Sequence, residues 1–168
     1  MKIPSTLVRT PKIKKTWKSN TDPQAQKVYL MERTFIGNIV ETRHSHEYLS
    51  SVIVHICRRW KVKRPKLIFF TKGNAHVYGY CTEKGIYLNA GKERPGCSLP
   101  ILIHEIAHWI VDQLYGEEVG LEHHGARFVT VYGKLMNDYK LFPASCWKVL
   151  CDEYGVEYVH DNTDSITE

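Results

Sequence analysis

The chain has 168 residues, 43 % of them hydrophobic and 24 % charged, enough apolar material for one domain with a buried core. No apolar run approaches the roughly eighteen residues of a membrane-spanning helix, and no apolar stretch follows the basic N-terminus, so neither a membrane protein nor a secretory signal is expected. The formal net charge of +5 is concentrated at the start: residues 1–20 hold six Lys/Arg and no acid, which leaves the remainder near neutral.

In chain order, residues 1–21 carry scattered Pro, Lys and Ser/Thr without apolar period and read as a flexible basic arm. Asp22-Pro23 has the form of a helix cap and first helical residue. The helix it opens is predicted to run to about Glu41, with Val28, Met31, Phe35 and Ile39 on one face. Ser45 caps a second helix with Leu49, Val52, Ile53, Ile56 and Trp60 inward, His55 beside that face, and His44 and His46 turned to solvent. A second basic cluster follows at residues 58–66 (Arg58, Arg59, Lys61, Lys63, Arg64, Lys66). Leu67–Phe70 has a buried-strand pattern, Lys72-Gly73-Asn74 a turn pattern. His76–Cys81 and Gly85–Asn89 read as two strands joined through Thr82–Gly85. Gly85–Asn89, the strand nearest in sequence to the next helix, is either an exposed edge for an extended peptide or an ordinary structural strand. Ser98 is placed to cap that helix.

Leu99–Tyr115 is apolar on nearly every side, the mark of a buried helix. Inside it lies His104-Glu105-Ile106-Ala107-His108. Imidazoles four residues apart lie one turn apart on one helical face, which suits two ligands on one metal ion. Glu105, beside the first, can reach a metal-bound water and take its proton. A buried helix with two His and one Glu needs polar partners, and a metal supplies one for both imidazoles. Asp112, one turn on, is a candidate acceptor for a ligand's second ring nitrogen.

Zinc catalysis needs a third protein ligand. Gly116 ends the helix, and Val111 and Leu114 exclude a third His within it. His123 and His124 open the next helical stretch, Gly125–Tyr139. His124 is in line with Phe128, Val131 and Leu135; His123 is in line with Arg127, Thr130 and Lys134. His124 is therefore the inward candidate. His123 is a solvated residue unless it supports a ligand or touches substrate.

His104-Glu105-x-x-His108, fifteen residues, then His124-Gly125-Ala126-Arg127-Phe128 resembles the SprT-like zinc metallopeptidases, whose signature is H-E-x-x-H followed by H-G-x-x-F/W. The likeness spans roughly residues 45–140 and includes the Gly85–Asn89 strand. The elements themselves read as α+β, with N-terminal helices, a small three-stranded antiparallel-containing sheet, the H-E-x-x-H helix and a partner helix carrying the third ligand; the likeness implies that this fold is zincin-like. It also implies hydrolysis of protein or peptide substrates with Zn2+ held by His104, His108 and His124 and Glu105 as general acid/base. Some relatives act on DNA–protein crosslinks. Many carry a four-cysteine zinc ribbon that this sequence lacks, so the motif alone does not bring the repair role with it.

Pro143 opens a last helix with Cys146, Trp147, Leu150 and Tyr154, ended near Gly155. The expected domain is 22–158, followed by a disordered acidic tail, 159–168. Five cysteines without a C-x-x-C read as reduced thiols, and hence as a cytoplasmic, nucleoid- or nucleus-associated protein. His123, Arg127, Tyr132, Tyr139 and His160 are the available oxyanion donors. The basic residues 1–20 and 58–66 suit contact with nucleic-acid phosphates or a merely solvated surface. The same zinc motif would serve an amidase or other hydrolase. A nucleic-acid-binding module with a structural metal site would have no use for Glu105.

Overall fold

The computed structural model describes residues 22–39, 42–71, 77–91, 95–116 and 122–159. Among these the fold is α+β: α1 (Pro23–Ile39), α2 (His46–Trp60), β1 (Leu67–Phe70), β2 (Gly79–Thr82), β3 (Gly85–Asn89), a 3-10 turn (Pro95–Cys97), α3 (Leu99–Tyr115), α4 (Ala126–Asp138) and α5 (Ala144–Tyr154). The arm 1–21, the turn 72–74, and Glu41 and His160 lie outside the described residues. No described helix is long and apolar enough to cross a membrane.

Helix α3 is the centre of the fold. Its residues Leu99–Val111 are all buried, and β2, β3, α2 and α4 pack around it. Leu102, Ile103, Ile106 and Ile110 are fully enclosed. Ser98 holds the N-cap position with extended backbone, yet its hydroxyl makes no capping bond. Gly116 closes the helix in a right-handed conformation. Ser45 does cap α2, accepting from the Tyr48 N–H at 3.2 Å.

The sheet corrects one expectation. Its strand order is β1-β3-β2, with β1 parallel and β2 antiparallel to β3. Gly85–Asn89 is thus the middle strand and offers no free edge. The edges belong to β1 and β2. A tight hairpin pairs β2 with β3, and β1 then adds on β3's other side. Period-two alternation sorts the residues. Leu67, Phe69, Cys81, Ile86 and Leu88 pack into the core, while Tyr80 stacks on Tyr87 on the outer face, with ring centroids 4.5 Å apart. Leu67–Phe70 is half-buried along its length: Leu67 and Phe69 pack on the core, and Phe70 on the other face lies against Tyr80 with ring centroids 5.6 Å apart. His46, exposed, stacks flat on Phe69 at 3.5 Å.

On α5, Trp147 and Cys151 are buried, Leu150 and Tyr154 pack partly against the core, and Cys146 is exposed. All five cysteines are free. Val159, placed in the expected tail, is tied to α4 by an N–H donated to Thr130 Oγ1 at 2.8 Å.

Gly85 sits at φ +144°, beyond the reach of L side chains, and a Cβ there would collide with the Lys66 carbonyl that accepts the Ile86 N–H. Gly85→Ala is expected to cost roughly 1–3 kcal/mol of stability. Equilibrium urea unfolding checks this, and an unchanged midpoint would show that the β1–β3 join relaxes freely.

Candidate metal centre

His104 and His108 project from one face of α3, and their Nε2 atoms are 3.2 Å apart. His124 comes from the turn just before α4, whose N-cap is Gly125. All three rings are buried, and one nitrogen of each lies within 4.8 Å of the others, close enough to hold a metal ion. Phe128, one turn into α4, floors the group: its ring stacks on His108 at 4.2 Å and meets His104 and His124 edge-on.

The outer nitrogens show which atoms are left for a metal. His104 Nδ1 faces Glu32 Oε1 at 2.6 Å. His124 Nδ1 faces Asp22 Oδ2 at 3.2 Å. His108 Nδ1 faces His123 Nδ1 at 2.9 Å. Each Nδ1 is engaged outward, so the three Nε2 atoms are left for a common centre. His124 Nε2 is buried without a hydrogen-bond partner. A buried acceptor left unpaired is costly, and a cation at the convergence point would satisfy it. The donor set fits a borderline metal with imidazole ligands.

Two of these outer partners come from α1, which carries no metal-ligand motif. Asp22 caps α1 through Oδ1, accepting from the Ala25 N–H at 3.0 Å. Its Oδ2 accepts the His124 N–H, also at 3.0 Å. Gln24, buried, donates to the His124 carbonyl at 2.9 Å and exchanges two hydrogen bonds with the Glu157 backbone. Three turns of one helix thereby fix the His124 turn and the His104 ring. Asp112, the expected acceptor, is exposed instead. It follows His108 by one turn near the helix end, where α3 leaves the core.

Glu105 is 6 % exposed. Burial pushes its carboxyl up to about 7; the charge on His104 opposes this and Glu32 adds to it. Strand β2 passes directly over it: a Cβ on Gly79 would come within 3.1 Å of Glu105 Oε1. Tyr29 stands at the mouth of the site, 46 % exposed. Its ring stacks over His104 at 6.1 Å and meets His124 edge-on at 4.9 Å. Burial of its hydroxyl end, together with Glu32, Glu105 and Asp22, raises the phenol to about 12. Of the oxyanion donors read from sequence, Tyr132 is fully enclosed behind His104. Tyr139 packs edge-on to the exposed His55, away from the histidines. Arg127 lies over the Tyr115 ring at 4.4 Å. Sequence reading finds Asp22 only as a helix cap and misses Tyr29 and Glu32, although spacing along α1 places those two on one face.

Comparisons with protein-family models, with curated proteins and with solved structures find no match. The likeness to the SprT-like metallopeptidases rests on the motif residues themselves.

Burial pushes the His104 imidazole down, but Glu32, by charge and hydrogen bond, overrides this and raises it to about 9. Burial and the neighbouring His104 lower His124 to about 4, and burial with the surrounding histidines holds His108 well below the usual imidazole range. At neutral pH one proton is therefore held among the three rings, on His104, and an entering cation must displace it. Titrating metal-stripped protein with Co2+ in weak buffer at pH 7 is expected to release at least about one proton per ion, the one on His104 and a share from Glu105. Because the displaced group has a raised pKa, apparent affinity should climb with pH until about 9. No proton release and a flat affinity between pH 7 and 9 would refute the assignment.

Proposed function

We propose that the protein is a zinc-dependent metallopeptidase of zincin-like fold, related to the SprT-like family. The observation that carries this reading is the position of Glu105. A buried carboxyl adjoins three converging imidazoles and lies under a sheet edge. A structural metal site has no use for such a group, whereas hydrolysis needs one. His104, His108 and His124 would hold the ion through Nε2, three protein ligands with one open position being the pattern of catalytic zinc. When bound, zinc supplies a Lewis acid for the carbonyl and lowers the pKa of water toward neutrality.

The chain's own residues account for the rest. The outward edge of β2 has no strand partner among the described residues. An extended substrate backbone laid along it would bring a peptide bond over Glu105, because Gly79 leaves no side chain between them. Glu105 takes a proton from the attacking water as the C–O bond forms. It returns that proton to the amide nitrogen as the C–N bond breaks, which releases an amine and a carboxylic acid; the acid then gives its proton to the amine. Burial makes its carboxylate a stronger base than an exposed one, which favours the first transfer. Tyr29 keeps its proton throughout neutral pH and serves as donor to the carbonyl oxygen as negative charge develops there.

Glu105→Gln is expected to keep bound zinc and fold while losing on the order of a hundredfold or more in cleavage of an unfolded protein such as casein. Metal content by mass spectrometry and turnover on the same sample check this. Near wild-type turnover by a zinc-loaded Glu105→Gln protein would remove Glu105 from the reaction. Casein left intact by the zinc-loaded wild type, beside turnover of small amides, would move the reading to an amidase.

Tyr29→Phe is expected to lower kcat by roughly a hundredfold with zinc content and KM little changed. If KM rises and kcat stays, the ring binds substrate and the hydroxyl has no part in the chemistry.

A further inference from the structure

His123 lies next in sequence to a proposed ligand and joins none of the three converging nitrogens. Its Nδ1 stands 2.9 Å from the Nδ1 of His108, on the opposite edge of that ring from the Nε2 that faces His104. The two rings are nearly perpendicular, at 78°, with centroids 4.4 Å apart. Phe128 packs flat on His108 and limits tilt of its ring. A flat contact leaves rotation in the ring plane and the choice of tautomer open; a partner on the Nδ1 edge closes both.

We infer that His123 is a positioning residue for the metal centre, the hydrogen-bond acceptor that fixes His108 with its proton on Nδ1 and its Nε2 lone pair free for the ion. This rests on the metal reading above and is independent of the reaction catalysed. The argument is one of valence. An imidazole nitrogen that gives its lone pair to a metal carries no proton, so neutral His108 bound through Nε2 must carry its proton on Nδ1. That N–H needs an acceptor within hydrogen-bond reach, and His123 Nδ1 stands 2.9 Å away. It follows that His123 takes the opposite tautomer, protonated on Nε2 and bare on Nδ1. Glu32 and Asp22 perform the same office for His104 and His124. The adjacent pair His123-His124 thus supplies one outer partner and one ligand from a single turn. It is tethered on the His124 side by Asp22 and Gln24.

The test uses the full chain and Zn2+ in competition with a chelating dye. His123→Leu keeps the side-chain branch and removes the acceptor; His123→Asn places an amide oxygen where Nδ1 stood. Leu is expected to weaken zinc binding roughly 10- to 100-fold, and Asn to recover most of the loss. Long-range 1H–15N spectra of zinc-loaded wild type should show His108 protonated on Nδ1 and His123 protonated on Nε2. His123→Leu binding zinc as tightly as wild type, or His123 carrying its proton on Nδ1, would overturn the inference and leave the metal centre standing. If Asn binds no better than Leu, the hydrogen bond has no part and the inference fails. A wild-type chain that takes up no zinc, or a His124→Ala variant that binds as wild type does, would instead overturn the metal reading on which it depends.

Discussion

Three imidazoles and a carboxyl lie together inside an otherwise apolar core, and the rest of the molecule is arranged around keeping them there. Taking such groups out of water is unfavourable by several kcal/mol each unless every polar atom finds a partner. Helix α3 alone cannot provide them. Its other enclosed residues, Leu102, Ile103, Ile106 and Ile110, are apolar. The partners come from segments remote in sequence: Glu32 is 72 residues from His104, and Asp22 is 102 from His124. Hydrogen bonds to charged groups contribute about 1.5–3 kcal/mol each. Helix α1 therefore belongs to the site as much as α3 does, and the His124 turn hangs on its first turn.

This division explains what the sequence discloses. The Leu99–Tyr115 helix, its buried histidines and the inward direction of His124 follow from local periodicity, which depends on spacing alone. So do the Ser45 cap, the Gly85–Asn89 strand and the start of α1 at Asp22-Pro23. The outer partners are contacts between elements, and no spacing rule links Asp22 to His124. Asp112 looked suitable because it follows His108 by one turn, yet the helix has left the core there. Asp22 was legible as a cap, but a carboxylate has two oxygens, and the second one reaches His124.

The sheet repeats the lesson for topology. Hydrophobic alternation identifies strands and leaves their lateral order open. Gly85–Asn89 is nearest in sequence to α3, which suggested an edge over the site. The hairpin turn at Glu83-Lys84 lays β2 on one side of it, and the pairing Leu67↔Ile86 seats β1 on the other. The strand bordering Glu105 is consequently β2, and a glycine at position 79 is what allows backbone to lie that close. Read in sequence, Gly79 is one small residue between tyrosines. Its meaning is steric and appears only when the carboxyl beneath it is known.

Charge balance bears on what the centre holds. Glu32, Glu105 and Asp22 surround three imidazoles of which His108 and His124 are held neutral by burial and by their neighbours. Burial tends to raise Asp22, but the N–H donors of His124 and Ala25 outweigh it and keep the group ionised. A single proton on His104 leaves such a cluster with an excess of negative charge when all three carboxyls are ionised. Exchanging that proton for a divalent cation reduces the excess by one and gives His124 Nε2 the partner it lacks. A monovalent ion would satisfy the nitrogen and leave the charge as it was. The carboxylates therefore favour a dication beyond what three imidazoles alone would do; two of them, Asp22 and Glu32, act from the cap and body of α1, and the third, Glu105, from α3 itself.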